Sequence, residues 1–345
     1  MPPLKALLIS DGRPGHFTLS EGILAAIARR RPVDVHRLEV QRRRMLPGRM
    51  LSALTNQGVS PQTVLKAAYG IDANTLPRAD LVVSAGGDTL AANIAAARVL
   101  GGVPNAFYGS LRRFNPDDFA LVLNSYARYA SHPKYLVTLK PNKLDPDEVR
   151  APSPQPDFAS GEPPRTAGLL LGGDTPTMIF GAANWQRILD FMRAAHVQHG
   201  TRWMVSNSRR TPDEVSTQFA ALAATPASPI ARFIDVREAG SGTLREIFAA
   251  SDAVAVTADS SSMLSEAIWV RRPVVALMPE GSSLPADEQD YRNFLSASGW
   301  TTPLSLTGLT PQSWLTSLAN LTPLGANPLD LLADELQRRV PDVFK

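Results

Sequence analysis

Two stretches of this 345-residue sequence place reactive side chains directly after glycine turns. In SDGRPGH, residues 10–16, Asp11, Gly12, Gly15 and His16 follow a short apolar run. Glycines there let backbone approach a ligand closely. A histidine at such a turn can act as acid or base or bind phosphate, and its bland alternative is a structural role. The spacing G-x-x-G-H is not the dinucleotide fingerprint G-x-G-x-x-G, so NAD binding is not predicted. In AGGDT, residues 85–89, Asp88 follows a second glycine pair and can serve as a base or cap a helix.

A second set of polar turns lies further along. LLLGGD, residues 169–174, supplies Gly172 and Gly173, and SNSRRTP, residues 206–212, supplies Ser208, Arg209 and Arg210. TADSSSMLSEA, residues 257–267, supplies Ser260, Ser261, Ser262 and Glu266. A serine-rich loop opening a helix presents free N–H groups, and anions suit a helix N-terminus. The alternative is that Asp259 and the serines only cap the helix while Glu266, in its first turn, complements the dipole.

Elements that would position these turns follow from apolar periodicity. Short apolar runs predict strands at 4–9, 33–38, 80–84, 104–108, 121–124 and 136–138, and again at 167–171, 202–205, 230–236, 253–256 and 274–277. Helical spacing predicts helices over 19–28, 185–195, 213–224, 243–250, 263–269, 289–296 and 329–339. Alternating strands and helices predict an α/β fold with parallel sheets. Seven prolines between 141 and 164 mark a linker. The expected organisation is therefore two doubly wound Rossmann-like domains facing a cleft. They comprise 1–145, a proline-rich linker over 146–165, a nucleotide-binding domain over 166–325 and a C-terminal helix in 326–345 that crosses back to the first domain.

The totals set limits. Lys and Arg exceed Asp and Glu by 35 − 32 = 3, too small an excess to point to nucleic acid. Arginines concentrate early, at 29–31, at Arg42, Arg43 and Arg44, and at Arg49. Such a patch suits phosphate groups or an anionic membrane surface, or is simply solvated. No cysteine is present, which excludes disulfides and cysteine nucleophiles. No signal peptide or membrane span is predicted, so a cytoplasmic protein, peripheral on the membrane's inner face, is expected.

Taken in order, these blocks resemble GT-B glycosyltransferases, and among them the N-acetylglucosaminyltransferase that completes the peptidoglycan lipid precursor. GRPGH, LLLGGD, SNSRRTP and TADSSSMLSEA together resemble still more closely the family named for the plant mitochondrial-fission factor "elongated mitochondria", with its bacterial relatives. The resemblance implies a GT-B fold and sugar transfer from a nucleotide-diphosphate donor to a lipid or cell-envelope acceptor, without metal or other cofactor. It implies that Glu266 holds ribose hydroxyls, that Ser260–Ser262, Gly172, Gly173, Arg209 and Arg210 meet the diphosphate, and that Gln289 lies near the donor sugar. His16 is the expected base, with Asp11 or Asp88 as alternatives. Competing readings are a nucleotide-sugar epimerase on the same fold and a non-catalytic scaffold on a membrane surface.

Overall fold

The computed structural model describes residues 2–43, 45–149, 151–240 and 242–345. The chain divides into two compact units, one of residues 1–144 with 328–345 and one of residues 145–327.

In the first unit, β1 (Leu4–Ser10) leads into α1 (Pro14–Ala28), then β2 (Val33–Glu39), α2 (Gly48–Asn56) and the short α3 (Pro61–Val64). Next come β3 (Leu81–Ala85), α4 (Leu90–Val99), β4 (Asn105–Tyr108), β5 (Leu121–Asn124) and β6 (Tyr135–Val137). The six strands form one sheet in the order β2-β1-β3-β4-β5-β6, and each pairing is parallel. β3, β4 and β5 are buried throughout, which is why their sequences read as continuous apolar runs rather than alternating ones. α1 begins at Pro14, earlier than the periodicity from residue 19 suggests, because proline at the first helical position loses no intrahelical bond. His16 therefore lies inside the first helical turn.

The second unit contains β7 (Thr166–Leu170), α5 (Ala182–His199), β8 (Arg202–Ser206), α6 (Asp213–Ala223), β9 (Ile230–Ile234) and the short helices α7 (Val236–Ala239) and α8 (Leu244–Ala250). β10 (Ala253–Thr257), α9 (Ser261–Trp269), β11 (Val274–Met278), α10 (Ala286–Ala297), β12 (Thr301–Ser305) and α11 (Pro311–Ala319) follow. Its parallel sheet runs β12-β11-β10-β7-β8-β9. The order reverses between β7 and β10, and that switch point is where open α/β sheets take their ligands. α9 begins at Ser261, with the Ser260 hydroxyl accepting from the Met263 N–H at 3.4 Å, so Glu266 falls in the second turn rather than the first. Trp203, Phe191 and Trp314 interlock with ring centroids 5.2–5.4 Å apart and join β8 to α5 and α11.

Residues 145–165 belong to this second unit. Buried Arg272 holds them: its guanidinium donates to the carbonyls of Val149 at 2.7 Å, Phe248 at 2.7 Å and Val270 at 2.8 Å. The final helix, α12 (Pro328–Arg339), belongs to the first unit, where Asp330 and Asp334 pair with Arg29 and Arg30 on the loop after α1. Both units are thus doubly wound α/β sheets.

Candidate functional site

At the carboxyl end of β1, the chain turns through Gly12, whose φ of 77° is readily adopted only by glycine. The turn carries Asp11 and His16 to one place. His16 Nδ1 lies 2.8 Å from Asp11 Oδ2, and the Asp11 side chain is nearly fully buried. A carboxylate there fixes the tautomer with the proton on Nδ1, which leaves Nε2 as the basic nitrogen. Gly86, at the end of β3, has φ 91°, and a Cβ on it would collide with the His16 imidazole. The ring is therefore seated against bare backbone. Nothing lies within 4 Å of the Cβ positions of Gly12 and Gly15, so the turn leaves its backbone open.

The other two carboxylates predicted as bases have different work. Asp11 orients His16. Asp88 is committed to Arg42, with Nε to Oδ1 at 2.9 Å, and lies 3.5 Å from Arg13.

In the second unit, a pocket of about 330 Å³ opens at the β7/β10 switch and is lined by Arg210, Ser260, Ser261 and Ser262 among others. Gly172 and Gly173 lie behind it. The resemblance implies that they meet the diphosphate. Instead Gly172 N–H donates to Thr257 Oγ1 at 2.6 Å and Gly173 N–H to Asp259 Oδ2 at 3.0 Å. A Cβ on Gly172 would strike the Asp259 carboxylate, which fills that space. Asp259, with no exposed side-chain surface, also takes the Arg210 guanidinium. Asp259 is thus more than a cap: it joins the strand-end turns on either side of the switch. Ser208 accepts the Arg210 N–H and contacts Thr211, a turn-holding role, and Arg209 is exposed away from these contacts.

Gln289 does not line the pocket. Its amide donates to Asn293 Oδ1 at 2.8 Å on the exposed side of α10. The pocket-facing residues of α10 are Glu288 and Arg292, one turn apart. Arg292, only 8% exposed, donates through Nε to Glu288 at 2.7 Å and through Nη2 to the Ala258 carbonyl at 2.8 Å. Ser261 Oγ donates to the same Glu288 oxygen. Sequence reasoning missed this pair, although a Glu–Arg spacing of four on a helix signals a shared face.

Glu266 is half-buried on α9, one turn behind Ser262. Among the described residues its carboxyl takes no hydrogen bond or ion pair, and burial pushes it up to about 7. Of the arginines expected at a membrane, Arg42 turns inward to Asp88, Arg43 packs its guanidinium against Gly70, Arg49 is exposed, and Arg44 lies outside the described residues.

The sequence pattern of the family described as Mitochondrial fission ELM1 matches residues 14–330. This chain belongs to the mitochondrial fission ELM1 family. No curated protein sequence matches it. Among solved structures, the ELM1-family chain is similar to a putative UDP-N-acetylglucosamine 2-epimerase from Listeria monocytogenes, at 12% identity over 99% of this chain and 97% of that one, with a TM-score of 0.58. It is also similar to the glycotransferase of kitacinnamycin, at 13% identity over 98% and 96%, with a TM-score of 0.50. MurG from Acinetobacter baumannii matches at 14% identity over 97% and 100%, with a TM-score of 0.48. The first two likenesses, with the two parallel six-stranded sheets, establish an α/β GT-B-type fold for this ELM1-family member. Among its described residues no helix is long and apolar enough to cross a membrane, and no group of three or more His, Asp or Glu side chains could hold a metal ion.

Proposed function

We propose that this chain is a GT-B-type glycosyltransferase that takes its sugar from a nucleotide diphosphate without a metal. The observation that carries the reading is Glu266: a half-buried carboxyl with no partner among the described residues, one turn behind a serine lining the switch-point pocket. Paired ribose hydroxyls are suited to such a group, because a carboxylate accepts two O–H donors at once. The N-terminus of α9 and Arg210 then lie where a diphosphate would be received. Gly172 and Gly173 support that loop from behind.

In the first unit, His16 Nε2 is the assigned base. It takes the proton of an acceptor hydroxyl, the oxygen attacks the sugar carbon, and the bond to the diphosphate breaks. Asp11 steadies the imidazolium that forms. The acceptor class assigned here is a lipid or cell-envelope precursor, with Arg43 and Arg49 the exposed arginines of the early cluster among the described residues.

The test is thermal denaturation with uridine, cytidine and guanosine diphosphates. One of them should raise the melting temperature, and Glu266→Ala should weaken that nucleotide by about tenfold, the loss of a charge-assisted hydrogen-bond pair. No response to any nucleotide sinks the reading and leaves a non-catalytic scaffold. Isomerisation of a labelled nucleotide sugar without acceptor would instead assign an epimerase.

A further inference from the structure

The first unit holds a second pocket, of about 280 Å³, that the sugar-transfer reading does not use. Arg42, the first half of α2, the turn after β3 and the loop after β4 wall it. Its charged lining is Arg42, Arg49, Arg112 and Arg113 against Asp88, a net of 4 − 1 = +3. Arg42 is the paired cation, held by Asp88 at 2.9 Å and by the Leu46 carbonyl at 2.8 Å. Among the described residues the guanidiniums of Arg49, Arg112 and Arg113 have no acidic partner.

The placement of Arg112 is built rather than incidental. Its φ is 56°, in the left-handed region that side chains other than glycine rarely adopt. Its guanidinium lies against Gly87, where a Cβ would come within 2.6 Å of it. Strained backbone and a missing side chain therefore cooperate to bring one more positive charge to a wall that is already cationic. Guanidiniums gathered this way repel one another, and a multiply charged anion relieves the repulsion. Planar forks match phosphate oxygens in pairs.

We propose that this pocket binds a phosphate- or diphosphate-bearing group through Arg49, Arg112 and Arg113, with the Arg42–Asp88 pair as a fixed wall. The site lies wholly in the first unit, so it stands whether or not the nucleotide reading of the second unit holds.

Calorimetric titration of the full chain with inorganic pyrophosphate tests it, alongside flotation on phosphatidylcholine vesicles with and without phosphatidic acid. R112Q/R113Q should weaken at least one probe by about tenfold or more, with affinity falling steeply as salt rises. Response to pyrophosphate alone identifies a soluble ligand, and response to phosphatidic acid vesicles a lipid headgroup. R193Q, on the exposed face of α5 and outside both pockets, should change neither probe by more than about twofold, since surface substitutions away from a site leave it intact. G87A is the second variant: it keeps every charge but displaces Arg112, and should weaken the same probe several-fold with the melting temperature little changed. The proposal is overturned if wild type binds neither probe, if R112Q/R113Q binds both as wild type does, or if R193Q abolishes binding.

Discussion

The two sheet switch points use one device to opposite electrical ends. Each has a glycine at a strand end whose missing Cβ is replaced by a side chain from the segment that follows a neighbouring strand. In the first unit His16 fills the space over Gly86, and in the second Asp259 fills the space over Gly172. Around Asp259 the charges are consumed: Arg210 pairs with it, and Arg292 pairs with Glu288. Beside His16, on the far side of Asp88, the arginines are largely unspent. A balanced pocket selects by hydrogen bonds to neutral groups and by a helix N-terminus. A cationic pocket selects by anion charge. The same fold thus separates shape-reading from charge-reading.

The contrast can be broken most severely at His16. His16→Ala should reduce sugar transfer about 10²–10⁴-fold, the range for loss of a general base, while leaving nucleotide-induced stabilisation intact. Asp11→Asn should cause a large part of that loss with His16 still present, because the tautomer is no longer fixed. Equal transfer rates in wild type and His16→Ala would end the catalytic assignment.

Stability should separate spent from unspent charges. Arg272→Ala removes a buried cation from three carbonyls and should cost about 3–5 kcal/mol in urea unfolding. Asp259→Ala strands the Gly173 N–H and should cost about 1–3 kcal/mol. Arg112→Gln should stay within about 0.5 kcal/mol of wild type, as exposed substitutions do. A large loss at Arg112 would mean that its charge serves the fold.

A pH dependence is intermediate in size. Burial raises Glu266 from 4.5 to about 7, so over that window the folded chain keeps a proton that the unfolded chain releases. Its contribution to stability is full below pH 4.5 and is lost as pH climbs through 7, on the order of 2 kcal/mol after allowing for its partial exposure. Denaturant midpoints at pH 5 and pH 8 should converge in Glu266→Gln relative to wild type. Nucleotide affinity should move the other way and rise with pH, since the ionised carboxyl accepts hydroxyl protons.

Much of the fold was legible because buried parallel strands write themselves as apolar runs, as β3, β10 and β11 do. β12 was not: TTPLS carries Pro303, which argues against a strand, and is tolerated because β12 is the sheet's edge. α11 was missed too, although Thr310 and Ser313 form a capping box that a search for S/T-x-x-E/Q overlooks. The candidate site was legible where local spacing creates it, as with Asp11, Gly12 and His16. Contacts between turns distant in sequence left no such trace. Asp259 reaching Gly172, Arg292 reaching Ala258 and Arg112 lying on Gly87 depend on strand order. That is why Gln289 drew attention that belongs to Glu288 and Arg292.

The position of α12 has a consequence for how the chain is made. Its acidic residues meet Arg29 and Arg30 across some 300 positions of sequence, and Val343 accepts a hydrogen bond from Arg31 at 3.0 Å. The second unit, by contrast, is one uninterrupted block. During synthesis the unit begun first is therefore the last to be completed. Its six strands are made first, but its α1 face waits for α12, which follows the whole of the later block.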